Sequence, residues 1–388
     1  MPQSDPGLAP AIRSRQIDGV NGLSVHVLEA GFKTDDLGTT GRPLVLLLHG
    51  FPELAYSWRK VMPVLAAAGF HVVAPDMRGY GRTTGWDPAY AGELEPFRFM
   101  NLVQDCLSLV AALGCREVAC VVGHDFGSPV AGHCALTRPD IFRSVVMMSA
   151  PFEGAPATAA SATAASGPPP ARDIHADLAA LPRPRKLYQW YYSTPPANDH
   201  MWRAPQGVAA FLRAYYHVKS ADWPGNRPHR LARRDAESLA ILPDYYAMPL
   251  DQTMAQVAAA HAPSAAEAAA CAWLTDAELA VYAREYSRTG FQGGLQWYRC
   301  ATNGLAARDL RAFAGRTIDV PSMFIAGAAD WGVYQTPGSF ERMQTHACTQ
   351  MRGAHLIPSA GHWVQQERAD AVADLLLGFL ARAAASRA

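Results

Sequence analysis

Short apolar runs punctuate the chain, and each ends at a turn. They cover residues 44–48 before His49-Gly50, 72–74 before Pro75-Asp76, 118–122 before Gly123, 145–148 before Ser149-Ala150-Pro151, and 323–326 before Gly327. Runs this short, with no polar alternation, predict parallel strands covered on both faces. Helical periods lie between them. Phe99, Leu102, Val103, Cys106, Val110 and Leu113 fall on one face, and Gly114 supplies a stop. Val372, Leu375, Leu376 and Phe379 repeat the pattern near the C-terminus. Alternating strands and helices predict an α/β fold with a mostly parallel, doubly wound sheet. Ligands of such sheets sit beyond the carboxyl ends of the strands.

The alternation stops between residues 152 and 308. Residues 155–171 are Ala/Ser/Thr/Pro-rich and end in three prolines, the composition of a connector. Aromatic-rich helical segments follow around 187–192, 208–217 and 277–287, with no convincing strand run among them. The expected organisation is a core over 1–151, an inserted helical cap over 152–308, and the rest of the core over 309–388.

Composition narrows the function classes. A chain of 388 residues suits a core plus an insertion, and 49% apolar residues can fill it. Thirty-four basic and 34 acidic residues cancel, which removes any electrostatic case for nucleic acid or an anionic membrane surface. Seven cysteines without CxxC spacing point to reduced thiols and a cytoplasmic location. The first ten residues lack an apolar core of a signal peptide, and no run of about 18 apolar residues predicts a membrane span.

The chemistry concentrates at Gly123-His124-Asp125-Phe126-Gly127-Ser128. A buried strand entering a glycine-flanked turn and then a helix resembles the nucleophile elbow of α/β-hydrolases, with Asp125 where a serine usually stands. The bland alternative is a helix-capping aspartate, but that leaves the two flanking glycines unexplained. A carboxylate nucleophile is suited to an sp³ carbon bearing a leaving group rather than to an ester carbonyl. The helix N-terminus favours its ionised form. Backbone N–H donors for an oxyanion are expected from Phe126, next to the nucleophile, and from Phe51 in His49-Gly50-Phe51-Pro52-Glu53.

Nucleophile, acid and histidine follow in that chain order in such enzymes. Asp330 lies just beyond the strand ending at Gly327, and His362 follows Gly361 and the apolar pair Leu356-Ile357. His346, His355, Asp309 and Asp319 are competitors. His355 lies within the strand pattern, and neither Asp309 nor Asp319 follows a strand in the required place.

Together, His49-Gly50-Phe51-Pro52-Glu53, Tyr56-Ser57-Trp58-Arg59, Arg78-Gly79-Tyr80-Gly81, Gly123-His124-Asp125 and Gly361-His362-Trp363 resemble an epoxide hydrolase of the α/β-hydrolase superfamily. The resemblance implies an α/β-hydrolase fold with an inserted helical cap, a cis Phe51-Pro52 bond, and two cap tyrosines that activate the epoxide oxygen. Tyr188-Gln189-Trp190-Tyr191 and Trp297-Tyr298-Arg299 carry these roles onto Tyr191 and Tyr298. It further implies attack by Asp125 on an oxirane carbon, an alkyl-enzyme ester, and its hydrolysis by water that His362, oriented by Asp330, deprotonates. Pro52, Trp190, Trp297 and Trp363 are expected to line the substrate pocket. The expected partners are a small lipophilic epoxide and water. No cofactor or metal is expected, and a homodimer is among the expected assemblies. The chain departs from the family in Phe126, often a tryptophan, and in Gly127-Ser128, often Gly-Gly. The competing functions are haloalkane or haloacid dehalogenation on the same scaffold, and a catalytically silent hydrolase-like binding protein.

Overall fold

The computed structural model describes residues 7–32, 41–156 and 173–385. From residue 157 on, the connector expected at 155–171 lies outside the described residues. The chain begins with β1 (Ile12–Val20) and β2 (Leu23–Ala30), an antiparallel hairpin turned at Asn21-Gly22, both in the left-handed region. Asn-Gly is the sequence that such a turn favours. Next come β3 (Leu44–Leu48), β4 (His71–Pro75), helix α1 (Phe99–Ala112), β5 (Cys120–His124), helix α2 (Gly127–Thr137) and β6 (Val145–Met148).

The cap follows. Its principal elements are β7 (Arg185–Leu187), α3 (Tyr188–Tyr192), α4 (Gly207–Lys219), β8 (Ala247–Pro249), α5 (Asp276–Thr289) and α6 (Gln292–Thr302). β7 and β8 form a two-stranded antiparallel ribbon, so the cap is not all-helical as expected. Three residues per strand are too few to leave a periodic signal. The core resumes with β9 (Ser322–Gly327), β10 (Met351–Ile357) and α7 (Ala369–Ala385).

Eight strands make one sheet in the order β1-β2-β4-β3-β5-β6-β9-β10. β1 and β2 run antiparallel, and every pair from β4–β3 onward is parallel. β3, β5, β6 and β9 are buried throughout, which is why they read as unbroken apolar runs. Parallel register brings the ends of β3, β5, β9 and β10 to one edge, and the loops after them carry His49, Asp125, Asp330 and His362.

The cap is fastened over that edge by polar ties. Arg59, wholly buried, donates to Glu278 of α5 at 2.9 Å and to Gln366 of the core at 2.9 Å. The Trp297 indole donates to the Arg78 carbonyl at 3.0 Å, and the Tyr216 hydroxyl to the Pro52 carbonyl at 2.9 Å. Gly293 and Gly79 meet backbone to backbone. A Cβ on Gly293 would lie 1.9 Å from the Gly79 oxygen, so only glycine permits the approach.

Candidate active site

Asp125 is held at φ +51° at the apex between β5 and α2. Three glycines make room for this turn. A Cβ on Gly123 would fall 1.9 Å from the Gly127 oxygen, one on Gly127 2.4 Å from the Leu48 oxygen, and one on Gly50 2.4 Å from Asp125 itself. The turn therefore needs glycine before and after the aspartate and across from it. The Phe51 N–H donates to Asp125 Oδ1 at 2.8 Å, and the Phe51-Pro52 bond is cis. Phe126 stands at the N-cap position of α2, in the first turn, where backbone N–H groups lack intrahelical partners.

His362 lies between two carboxylates. Its Nε2 faces Asp125 Oδ2 at 3.2 Å, off the line of a good hydrogen bond, and its Nδ1 meets Asp330 Oδ1 at 3.1 Å. Asp330 Oδ1 also accepts the Gly332 N–H at 2.7 Å, which fixes the carboxylate. Thus Asp125, His362 and Asp330, read from separate strand ends, come together in one buried line.

A second polar layer supports His362, and sequence reasoning had not assigned it. His124 bonds Glu53 Oε2 through Nδ1 at 2.6 Å and the His362 carbonyl through Nε2 at 2.7 Å. Glu53 Oε1 accepts from Gln365 at 2.8 Å and Gln366 at 3.1 Å. His49 accepts the Met77 N–H at Nε2, 3.0 Å, which makes it a neutral structural tie. Burial pushes its pKa down, in keeping with that state.

The charges are set by these neighbours. Burial opposes ionisation of Asp125, but the His362 side chain and the Lys219 charge overcome it and hold the carboxyl well below the usual range. Burial likewise works against Asp330, and His362 again brings its pKa down. For His362 itself, burial and Lys219 push down while Asp330 and Asp125 pull up more strongly, so its pKa is raised.

The aromatic cap contributes one expected tyrosine and one unexpected one. Tyr298 packs edge-on against Phe126 at 4.6 Å and Phe51 at 5.5 Å, directly over the elbow. Tyr191, the other expected residue, is not there. Its ring stacks on His200 and its hydroxyl meets His200 Nδ1 at 3.0 Å. Tyr188 occupies the place instead, 5.8 Å from the Tyr298 ring, its hydroxyl donating to Gln335 at 3.2 Å. Burial and then the Asp125 charge raise both the Tyr188 and Tyr298 pKa well above the usual phenol. The Tyr191 pKa rises by burial to about 12. In α3, Tyr188 and Tyr192 are four apart and share the face toward Tyr298, while Tyr191 is rotated off it. The Tyr-Gln pair was the usable signal, and its first member is the one that points inward.

The four expected pocket residues divide as well. Pro52 follows Phe51, whose N–H meets Asp125, across the cis bond. Trp297 packs on Phe126 at 5.6 Å and Trp363 on His362 at 4.7 Å, both as fully buried backing. Trp190 turns away to His175, at 4.2 Å, for the same helical reason as Tyr191.

Residues 43–369 match the family model of the alpha/beta hydrolase fold. The chain is 34% identical over 340 residues to epoxide hydrolase B of Mycobacterium tuberculosis, covering 87% of this chain and 91% of that one. It is also 34% identical over 373 residues to epoxide hydrolase A of the same organism, covering 93% and 95%. Among solved structures, an epoxide hydrolase from an endophytic Streptomyces superposes with a TM-score of 0.74 at 31% identity, covering 96% of each chain. Epoxide hydrolase I of potato superposes at 0.69 with 27% identity, covering 96% of this chain and 99% of that one. Among the described residues no helix is long and apolar enough to cross a membrane. Relatives of matching length thus carry one activity on this fold, and the chain belongs to the epoxide hydrolases of the α/β-hydrolase superfamily.

Proposed function

We propose that the enzyme converts a lipophilic epoxide to a vicinal diol through a covalent ester on Asp125. The observation that carries this reading is the split environment of one carboxylate. Oδ1 is held by the Phe51 N–H at 2.8 Å, while Oδ2 has no amide donor among the described residues and faces His362 at 3.2 Å. Oδ2 is then the nucleophile, and Oδ1 becomes the ester carbonyl oxygen, already at its oxyanion donor.

In the first step Asp125 Oδ2 bonds to an oxirane carbon and that carbon's bond to the ring oxygen breaks. Tyr188 and Tyr298 hydrogen-bond the departing oxygen, and one gives it a proton. Their raised pKa keeps both phenols protonated at neutral pH, ready to donate. In the second step His362, steadied by Asp330, takes a proton from water. The hydroxide attacks Asp125 Cγ, charge collects on Oδ1 against the Phe51 and Phe126 N–H groups, and the Cγ–Oδ2 bond breaks. The departing Oδ2 takes the proton held by His362 to complete the diol, and the acid proton left on Asp125 returns to the phenol that donated in the first step. The aromatic lining supports an apolar substrate. The seven free cysteines support a reducing, cytoplasmic setting.

The test is intact-protein mass spectrometry of His362→Gln mixed with an aryl or alkyl epoxide. The reading predicts an adduct of one epoxide mass that maps to the peptide containing Asp125 and is absent in Asp125→Asn. Diol production by Asp125→Asn at the wild-type rate would remove Asp125 as nucleophile. Halide release from alkyl halides with no diol from any epoxide would favour the dehalogenase reading.

A further inference from the structure

Lys219, the last residue of α4, is only 2% exposed. Among the described residues its Nζ has neither an ion-pair nor a hydrogen-bond partner. Four aromatic rings surround it instead. Their centroids lie at 5.0 Å for Tyr246, 5.3 Å for Tyr215, 5.4 Å for Trp363 and 6.0 Å for Tyr245. A buried charge without a counter-ion is costly. Ring quadrupoles attract a desolvated cation and offset part of that cost. A cage of this kind suits a cation and fixes its position.

That point is tied to the catalytic base in two ways. The Lys219 carbonyl accepts the His362 N–H at 2.8 Å. Trp363, one wall of the cage, packs edge-on against the His362 ring at 4.7 Å. His362 meanwhile sits 3.2 Å from one carboxylate and 3.1 Å from another. Two carboxylates so placed favour imidazolium, yet a base that activates water must be neutral when water arrives.

We propose that Lys219 is a positioning residue whose caged charge offsets these carboxylates and keeps His362 available as a neutral base. The inference rests on the reading of Asp125 and His362 given above. Once Asp125 is esterified its charge is gone. Lys219 then opposes Asp330 alone, one charge against one, during the step that needs the base. The direction of its effect on both partners agrees: it lowers the pKa of His362 and of Asp125.

Other groups face the pair. His124 lies 5.0 Å from the His362 ring and is paired with Glu53. Glu367 accepts the Ala221, Gly361 and Trp363 amides at the junction of cap and base loop. Tyr245 and Tyr246 have pKa values raised by burial and stay neutral across the working range. Lys219 is thus the cation that the cap brings to this base.

The experiment is the pH dependence of kcat for Lys219→Met and Lys219→Arg with an uncharged epoxide, from pH 5 to 9. Through Trp363, 5.4 Å from the charge and 4.7 Å from the His362 ring, Lys219 Nζ lies within about 10 Å of that ring, where one unit charge at an effective dielectric of about 20 moves a pKa by about one unit. Lys219→Met should therefore move the acid limb up by about one pH unit, with lost activity returning as pH is raised. Lys219→Arg should restore the limb. A uniform loss at every pH, or an unmoved limb, would overturn the proposal and leave Lys219 a packing residue. Should Lys219→Met fail to fold, Lys219→Gln makes the same comparison. Absence of diol from any epoxide in the wild type would sink the underlying reading, whereas diol with an unmoved limb sinks this inference alone.

Discussion

Asp125 adopts φ +51°, a region that costs a non-glycine residue about 1–2 kcal/mol. The strain persists because Gly50, Gly123 and Gly127 close around it. Gly50→Ala would drive a Cβ to 2.4 Å from Asp125 Cβ and Oδ1. We expect kcat to fall by about 10² or more, the cost of displacing one oxyanion contact. Near-normal turnover in steady-state assays would contradict the described elbow. The tyrosines make a sharper residue-scale contrast. Tyr188→Phe and Tyr298→Phe should each lower kcat/KM by about 10²-fold. Tyr191→Phe, which removes hydroxyl contacts to His200 and to the Met254 backbone, both away from Asp125, should leave it within about twofold. The reverse ranking would restore Tyr191 to the site. The placement of Tyr191 against His200 rather than over Asp125 has a physical origin. The sequence carries the Tyr-Gln-Trp-Tyr pattern, but which phenol faces Asp125 depends on the rotation of a five-residue helix, and no periodicity in five residues reports rotation.

At the scale of elements, the buried parallel strands were legible because covering both faces forces unbroken apolar runs, as in 44–48 and 145–148. β1 escaped because its buried positions keep no regular period at the sheet edge, β2 because buried His26 and Glu29 interrupt its apolar run, and β7 and β8 because they are three residues long. His362 and Asp330 were legible because each follows a strand end. Glu53, His124 and Lys219 were not, since their partners lie tens to hundreds of residues away and no local spacing marks them. One element-scale tie predicts a pH effect. Asp76, at the end of β4, accepts the Ala55 and Arg82 amides and binds His26 at 2.7 Å. Burial would raise its pKa, but His26, His49 and the Arg82 amide bring it down to about 2. A carboxyl depressed in the folded state stabilises fully above the ordinary aspartate range and loses that contribution as pH falls toward 2. The shift corresponds to about 2 kcal/mol at neutral pH. Chemical denaturation of Asp76→Asn should thus show a deficit at pH 7 that closes between about pH 4 and 2.5. A gap that stays constant with pH would show that ionisation of Asp76 is not what stabilises this loop.

Across the whole molecule, the proposed function depends on the insertion between β6 and β9 seated as a cap over the carboxyl edge of the sheet. On that reading the core supplies nucleophile, base, acid and oxyanion donors, and the cap supplies the phenols and, through Lys219, a charge. Arg59 is a principal fastener, joining Glu278 of the cap and Gln366 of the core. Arg59→Met leaves a mostly buried Glu278 without its guanidinium and should cost about 3 kcal/mol of stability. Unfolding curves that match the wild type would show that the cap is seated by other contacts. The chemistry that this assembly performs is tested most directly by one enzyme-excess turnover in ¹⁸O-labelled water, with mass analysis of both diol and enzyme. An ester on Asp125 predicts an unlabelled first diol, its new oxygen donated by Oδ2, and one ¹⁸O retained in the Asp125 peptide. Label in that first diol, with none in the enzyme, would mean that water attacks the epoxide directly and that Asp125 is not the nucleophile.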